Sequence, residues 1–143
     1  MVDVQFRFRD DEAVNDSAVT VGAFTEQTNA TAVRIEPGDD ARDLIPFLER
    51  LRLIEVNFPA WTDGRGYSSA RVLREAGFTG EIRAVGDVVI DMLSHLKRCG
   101  FDAFAPDKPL NPVDAQNAFD RWDNVYQATA DGRRPIWALR HTA

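Results

Sequence analysis

Cysteine is nearly absent from this chain: Cys99 stands alone among 143 residues. No disulfide can form within the chain, and a four-cysteine zinc or iron–sulfur site is excluded for the same reason. Histidine is almost as scarce, with only His95 and His141, so no metal site is expected. No apolar run approaches the ~18 residues that a membrane helix needs. The opening MVDVQFRFRDDE lacks the basic region and apolar core of a secretory signal. A cytoplasmic location with no membrane partner is therefore expected. Positive charge is in deficit: 17 Lys and Arg against 23 Asp and Glu leave a net charge of −6. That balance favours solubility and argues against a nucleic-acid partner, which wants a basic surface. A local basic pocket stays compatible with it.

What is present is a regular alternation. A chain of this length is expected to form one domain, and it shows no repeat of the solenoid kind. Residues 1–30 read as an N-terminal arm or edge strands. Val2 to Phe8 alternate apolar and polar, as a half-buried strand does. Val19 to Phe24 suggests a second short strand. Residues 31–143 read as a single α/β domain. Ala32–Ile35 is a strand closed by Pro37-Gly38. Leu44, Phe47, Leu48 and Leu51 then recur at helical spacing after acidic Asp39-Asp40, with Pro46 near the start, where proline is tolerated best. Strand Leu53–Phe58 follows, then a helix from Tyr67 or Ser68 to Ala76, stopped by Gly77. Strand Glu81–Val85 leads to a helix over Val88–Arg98, capped by Asp87 and ended by Gly100. Asp102–Ala105 reads as a strand, and Pro106, Pro109 and Pro112 as a rigid connection. Ala115, Phe119, Trp122 and Tyr126 mark a last helix, and Ile136–Leu139 a terminal strand. Repeated βα units imply a small, mostly parallel sheet flanked by helices. An open doubly wound sheet and a half-barrel fit this pattern equally.

In parallel sheets, ligands bind beyond the carboxyl ends of the strands. Two Gly- and Asp-bearing turns fall there. In the first, Asp63-Gly64-Arg65-Gly66-Tyr67-Ser68, glycine permits close backbone approach. The helix start that follows suits an anion, Arg65 adds a charge-assisted donor, and Tyr67 and Ser68 add hydroxyls. The structural alternative is that Asp63 or Ser68 caps the helix. The second turn is Gly86-Asp87. Arg65, Arg71 and Arg83 together could hold sulfate, sulfite or phosphate, or each could pair with a neighbouring carboxylate. Asp63 and Asp87 are the candidate general acid/base carboxylates, and Asp87 has the N-cap as its alternative role. Asp91, His95 and Arg98 share a helix side, a pattern more often solvated than catalytic. The residues alone do not name a reaction.

The run FPAWTDGRGYSSARVLREAGFTGEIRAVGDVVIDMLSHLKRCGFDAF resembles a bacterial family, domain-of-unknown-function family 934. The likeness is carried by Phe58-Pro59, Asp63 to Ser68, Ala70-Arg71, Leu73-Arg74-Glu75, Arg83-Ala84, Gly86-Asp87-Val88 and Arg98 to Phe104. Proteins of this family carry a label of involvement in sulfite reduction. The resemblance implies a place in sulfite or sulfate assimilation, with sulfite reductase or another enzyme of that pathway as partner, or a sulfur oxyanion as ligand. A homo-oligomer also stays open. The chain has no dinucleotide fingerprint, no iron–sulfur ligand set and no redox cysteine pair. No cofactor is expected, and a non-redox accessory role is favoured over an oxidoreductase.

Overall fold

The computed structural model describes residues 4–14, 16–26 and 29–120. Among these residues six strands form one sheet: β1 (Phe6–Arg7), β2 (Val19–Thr20), β3 (Ala32–Ile35), β4 (Leu53–Phe58), β5 (Glu81–Gly86) and β6 (Ala103–Pro106). Their order across the sheet is β1-β6-β5-β4-β3-β2. β2 to β6 are parallel and β1 lies antiparallel on β6.

The α/β expectation holds, and the strand order separates the two arrangements the sequence left open. β2 to β6 follow one another in chain order. A doubly wound sheet would reverse direction at a switch point, and this one does not. Right-handed crossovers that always step the same way put every helix on one face. That face carries α1 (Val21–Glu26), a 3-10 helix (Ala41–Arg50), α2 (Arg65–Glu75), α3 (Leu93–Cys99) and α4 (Pro112–Asp120). The arrangement is half-barrel-like.

The core lies between the helices and that face. Val33, Ile35, Ile54, Val56, Phe58, Ile82, Ala84 and Phe104 from the strands meet Phe24, Leu44, Ala70, Leu73, Leu93, Leu96 and Phe119 from the helices. Alternation along each strand sends the other residues to the opposite face, and these include Arg34, Glu55, Glu81 and Arg83 among small and apolar neighbours. Arg34 pairs with Glu55 at 2.9 Å, Arg83 with Glu55 at 3.4 Å, Arg83 with Glu81 at 2.6 Å, and Arg7 with Glu81 at 2.9 Å. Ala103 stands in register with both Arg7 and Arg83, so a methyl group is all that separates the two guanidinium stems across β6. Glu55, Glu81 and Arg83 are only 5%, 1% and 5% exposed. The N-terminal segment after β1 reaches this face, where the Val14 carbonyl accepts from Arg83 and the Val14 side chain packs on Ala32 and Leu53.

Several local expectations are corrected. Val19–Phe24 is not one strand: the chain turns helical at Val21, and the Thr20 hydroxyl accepts from Ala23 N–H at 3.1 Å, as a cap does. The segment Ala41–Arg50 is 3-10 rather than α. Pro46 falls at its middle, where it removes a donor and crowds the carbonyl four residues back. α2 begins at Arg65, two residues early, because the Asp63 carboxylate accepts from Arg65 N–H at 3.1 Å. The helix expected from Val88 starts as a 3-10 turn at Ile90–Met92 and becomes α only at Leu93. Gly100, at φ 117°, ends it in the left-handed conformation, as a C-terminal glycine does. Trp122, Tyr126 and Ile136–Leu139 lie outside the described residues. No helix among the described residues is long and apolar enough to cross a membrane.

Candidate functional site

The carboxyl ends of β4 and β5 carry the loop 59–64, and its geometry is fixed from below. β5 ends at Gly86, with φ +94°. A Cβ there would stand 2.4 Å from the Phe58 carbonyl oxygen and 2.6 Å from Asn57 Oδ1, so only glycine fits. The turn hands Asp87 to the neighbouring loop: Asp87 N–H donates to the Phe58 carbonyl at 2.7 Å, and its Oδ2 accepts from Trp61 N–H at 2.8 Å. Asp87 is therefore not an N-cap. Its carboxylate is committed to loop 59–64. Within that loop Asp63 N–H donates to the Ala60 carbonyl at 2.9 Å. The loop carries Trp61, which is 57% exposed.

Asp63 and Arg65 form a closed pair. Arg65 Nη2 lies 2.6 Å and Nε 3.0 Å from the carboxylate. The side-chain bond from Arg65 holds Asp63 down to about 2, with help from the Arg65 N–H. Asp63 is thus ionised across the neutral range and already accepts three bonds, which suits a helix start and not proton transfer. The Ser68 hydroxyl caps nothing; it donates to the Arg65 carbonyl.

The three arginines do not converge. Arg83 is on the charged face of the sheet, away from α2, and its guanidinium is bound to Glu81, Glu55 and the Val14 carbonyl. Arg71 lies on α2 with Nη2 3.9 Å from the sulfur of Cys99. Only Arg65 remains at the helix start, paired as described. Gly66 serves packing: a Cβ would meet Phe58 Cζ at 2.7 Å and Val56 Cγ1 at 2.8 Å, so it lets α2 lie close on β4. A crevice beside it, lined by Glu36, Asp39, Asn57, Arg65 and Ser69, measures about 20 Å³, space for about one water. Glu36 and Asp39 bring negative charge to it, and Asn57 donates to Glu36 at 2.7 Å.

Other motif residues prove structural. Arg74 donates to the carbonyls of Gly100, Phe78 and Gly80 and to Asp102. Asp102 also takes Arg9 at 2.7 Å and the Ile82 N–H at 2.9 Å. This one half-buried pair ties α2, β5, β6 and the N-terminal segment together, and burial raises the Asp102 carboxyl despite its cations.

One cluster escaped the sequence reading. Between α2 and α3, the Tyr67 ring lies 4.9 Å from the His95 ring, tilted by 42°, and His95 Nε2 lies 3.8 Å from the buried Cys99 sulfur. Burial, then the charges of Arg98 and Arg71, lower the His95 imidazole. Burial raises the Tyr67 phenol, and Cys99 adds to it. The i, i+4 spacing of His95 and Cys99 was the available signal, and helical spacing alone could not bring Tyr67 to them. Among the described residues, no group of three or more His, Cys, Asp or Glu is placed to hold a metal ion.

A family model described as bacterial protein of unknown function (DUF934) matches residues 32–137, well over half of the chain. The chain belongs to that family. No curated protein and no solved structure matches it.

Proposed function

We propose that this member of the DUF934 family is a non-redox accessory of assimilatory sulfite reduction, and that it docks on sulfite reductase or another sulfate-assimilation enzyme through the loop between β4 and α2. The observation that carries the docking is Trp61: a large aromatic, 57% exposed, on a loop pinned by Asp87 and by its own turn. Exposed Trp beside Arg is the composition of an interface anchor, and a loop already held in place loses little freedom on binding. The pathway rests on the resemblance that the sequence carries. A sulfur oxyanion is the weaker ligand for this surface. Its three candidate arginines point to three different partners, and the adjoining crevice is carboxylate-lined. Asp63 and Asp87 both have other work, which speaks against an acid/base enzyme at this end.

The test is twofold. A deletion strain is grown on sulfate, sulfite or cysteine as sole sulfur source; growth on cysteine alone is expected. Equal growth on all three removes the sulfur role. The purified protein is then titrated against the purified reductase, with and without Trp61→Ala. Truncating a central Trp typically costs ~2 kcal/mol or more, so affinity should fall about 30-fold with the fold unchanged. Unaltered affinity would discard this surface. Parallel titration with sulfite and sulfate reads out the oxyanion alternative directly.

A further inference from the structure

The opposite end of the sheet holds a cleft of about 820 Å³, within the ~300–1,000 Å³ of ordinary ligand sites. Three segments wall it: the N-terminal segment after β1, the end of the 3-10 helix, and the turn between α2 and β5. We propose that this cleft binds an extended, basic segment of another polypeptide.

Four features select that occupant. The cleft includes apolar side chains, Val14, Leu51 and Phe78, all buried, with Ile45 exposed at 39%. Its cations are already engaged. Arg9 is bound to Asp11 and Asp102 at 2.7 Å, and Arg52 to Asp16 at 3.6 Å. Its free charges are negative: among the described residues, the exposed carboxylates of Glu12 and Glu49 have no ion pair. α2 also ends here, and the carboxyl end of a helix attracts cations. Finally, among the described residues the Thr79 and Gly80 N–H groups and the Gly77 and Thr79 carbonyls have no hydrogen-bond partner. An extended backbone offers donors and acceptors of the kind these groups lack, as in strand-like peptide recognition. A small cation would use the carboxylates and leave the apolar wall and the backbone groups unmet.

The probe is an N-acetylated, C-amidated Lys-Leu-Lys-Leu-Lys peptide added to the full chain and followed by amide NMR. Shifts are expected at Gly77–Gly80 and around Glu49. A Glu-Leu-Glu-Leu-Glu peptide should not bind. Replacing Glu12→Gln and Glu49→Gln together should weaken binding about fivefold, the sum of two exposed ion pairs at ~0.5 kcal/mol each. A control pair at the far end of the strands, Asp107→Asn with Asp114→Asn, changes the net charge equally and should change affinity less than about twofold. Equal weakening by both pairs would reduce the binding to general charge attraction and overturn the proposal. So would absence of binding, or binding of the acidic peptide. Trp61→Ala should leave this affinity unchanged, so the cleft stands or falls apart from the docking loop.

Discussion

Replacing Arg83 by methionine should cost this protein more stability than any other single charge change on the sheet. Arg83 is 5% exposed and sits between Glu81, at 1%, and Glu55, at 5%. Methionine keeps most of the volume and removes the cation, so two buried carboxylates lose their shared partner. Breaking a buried ion pair from one side costs ~3–5 kcal/mol. Each carboxylate here retains a second arginine, Arg7 for Glu81 and Arg34 for Glu55, which places the expected loss at the low end, about 3 kcal/mol. For a chain of this size that lowers Tm by roughly 10–15 °C. Urea unfolding should show the loss in the midpoint with little change in slope. The cycle with Glu81→Gln supplies the sharper reading. Once Glu81 is neutral the second change should cost less, with a coupling of ~1–3 kcal/mol. A loss under ~1 kcal/mol, or additive single changes, would refute the claim that this face is held by charge.

Three further outcomes follow from the geometry. Gly66→Ala should destabilise by ~1–3 kcal/mol through overpacking against Phe58 and Val56, although alanine normally favours a helix. Gly64→Ala, whose Cβ meets only Tyr67 at 4.0 Å, should be nearly neutral in thermal melts. In a carboxyl-carbon NMR titration Asp63 should titrate at about 2 and return to the ordinary carboxylate range in Arg65→Gln. Because the folded value is depressed, this pair stabilises the fold above the unfolded Asp value of ~4, and the contribution is lost as pH falls through about 2. An Asp63 that titrates normally would break the pairing argument and reopen its acid/base role.

Much of this fold was legible in the sequence, for physical reasons that differ by element. β3 and β4 lie where their apolar runs and turn residues put them, because Pro37-Gly38 and Pro59 punctuate them unambiguously. α2 is legible to within two residues: the pattern points to Tyr67 or Ser68 as its start, and the Asp63 carboxylate, by accepting from Arg65 N–H, starts it at Arg65. The misplaced roles share one cause. Asp87 finds Trp61 26 residues away, and Arg83, besides its near neighbour Glu81, finds Glu55 and the Val14 carbonyl 28 and 69 residues away, and spacing rules see only neighbours. One signal was present and went unused. Strands covered by helices on both faces read as continuous apolar runs, whereas β4 carries Glu55 and Asn57 and β5 carries Glu81 and Arg83, buried instead among ion pairs. Those interruptions announce a sheet with one polar face, hence helices on one side only.

One-sided winding also bears on what the molecule can do. A doubly wound sheet owes its ligand crevice to the reversal of strand order, where two neighbouring loops diverge. Here the order runs without reversal from β2 to β6, so adjacent loops stay packed together, and what opens between β3 and β4 holds about one water. The carboxyl end presents a surface, with Trp61 standing out from it, its backbone held by Asp87 and the neighbouring Asp63 and Arg65 neutralising each other. Such a surface is suited to being covered by another protein. The volume for a bound chain segment lies at the amino end, where the 3-10 helix, the α2 turn and the N-terminal segment leave a gap. Two faces at opposite ends of the same strands, one a rigid aromatic anchor and the other a carboxylate-rimmed cleft, are the form a protein would take if it held two partners in a fixed relation. Trp61→Ala and the Glu12→Gln, Glu49→Gln pair should then weaken different interactions and leave each other's intact.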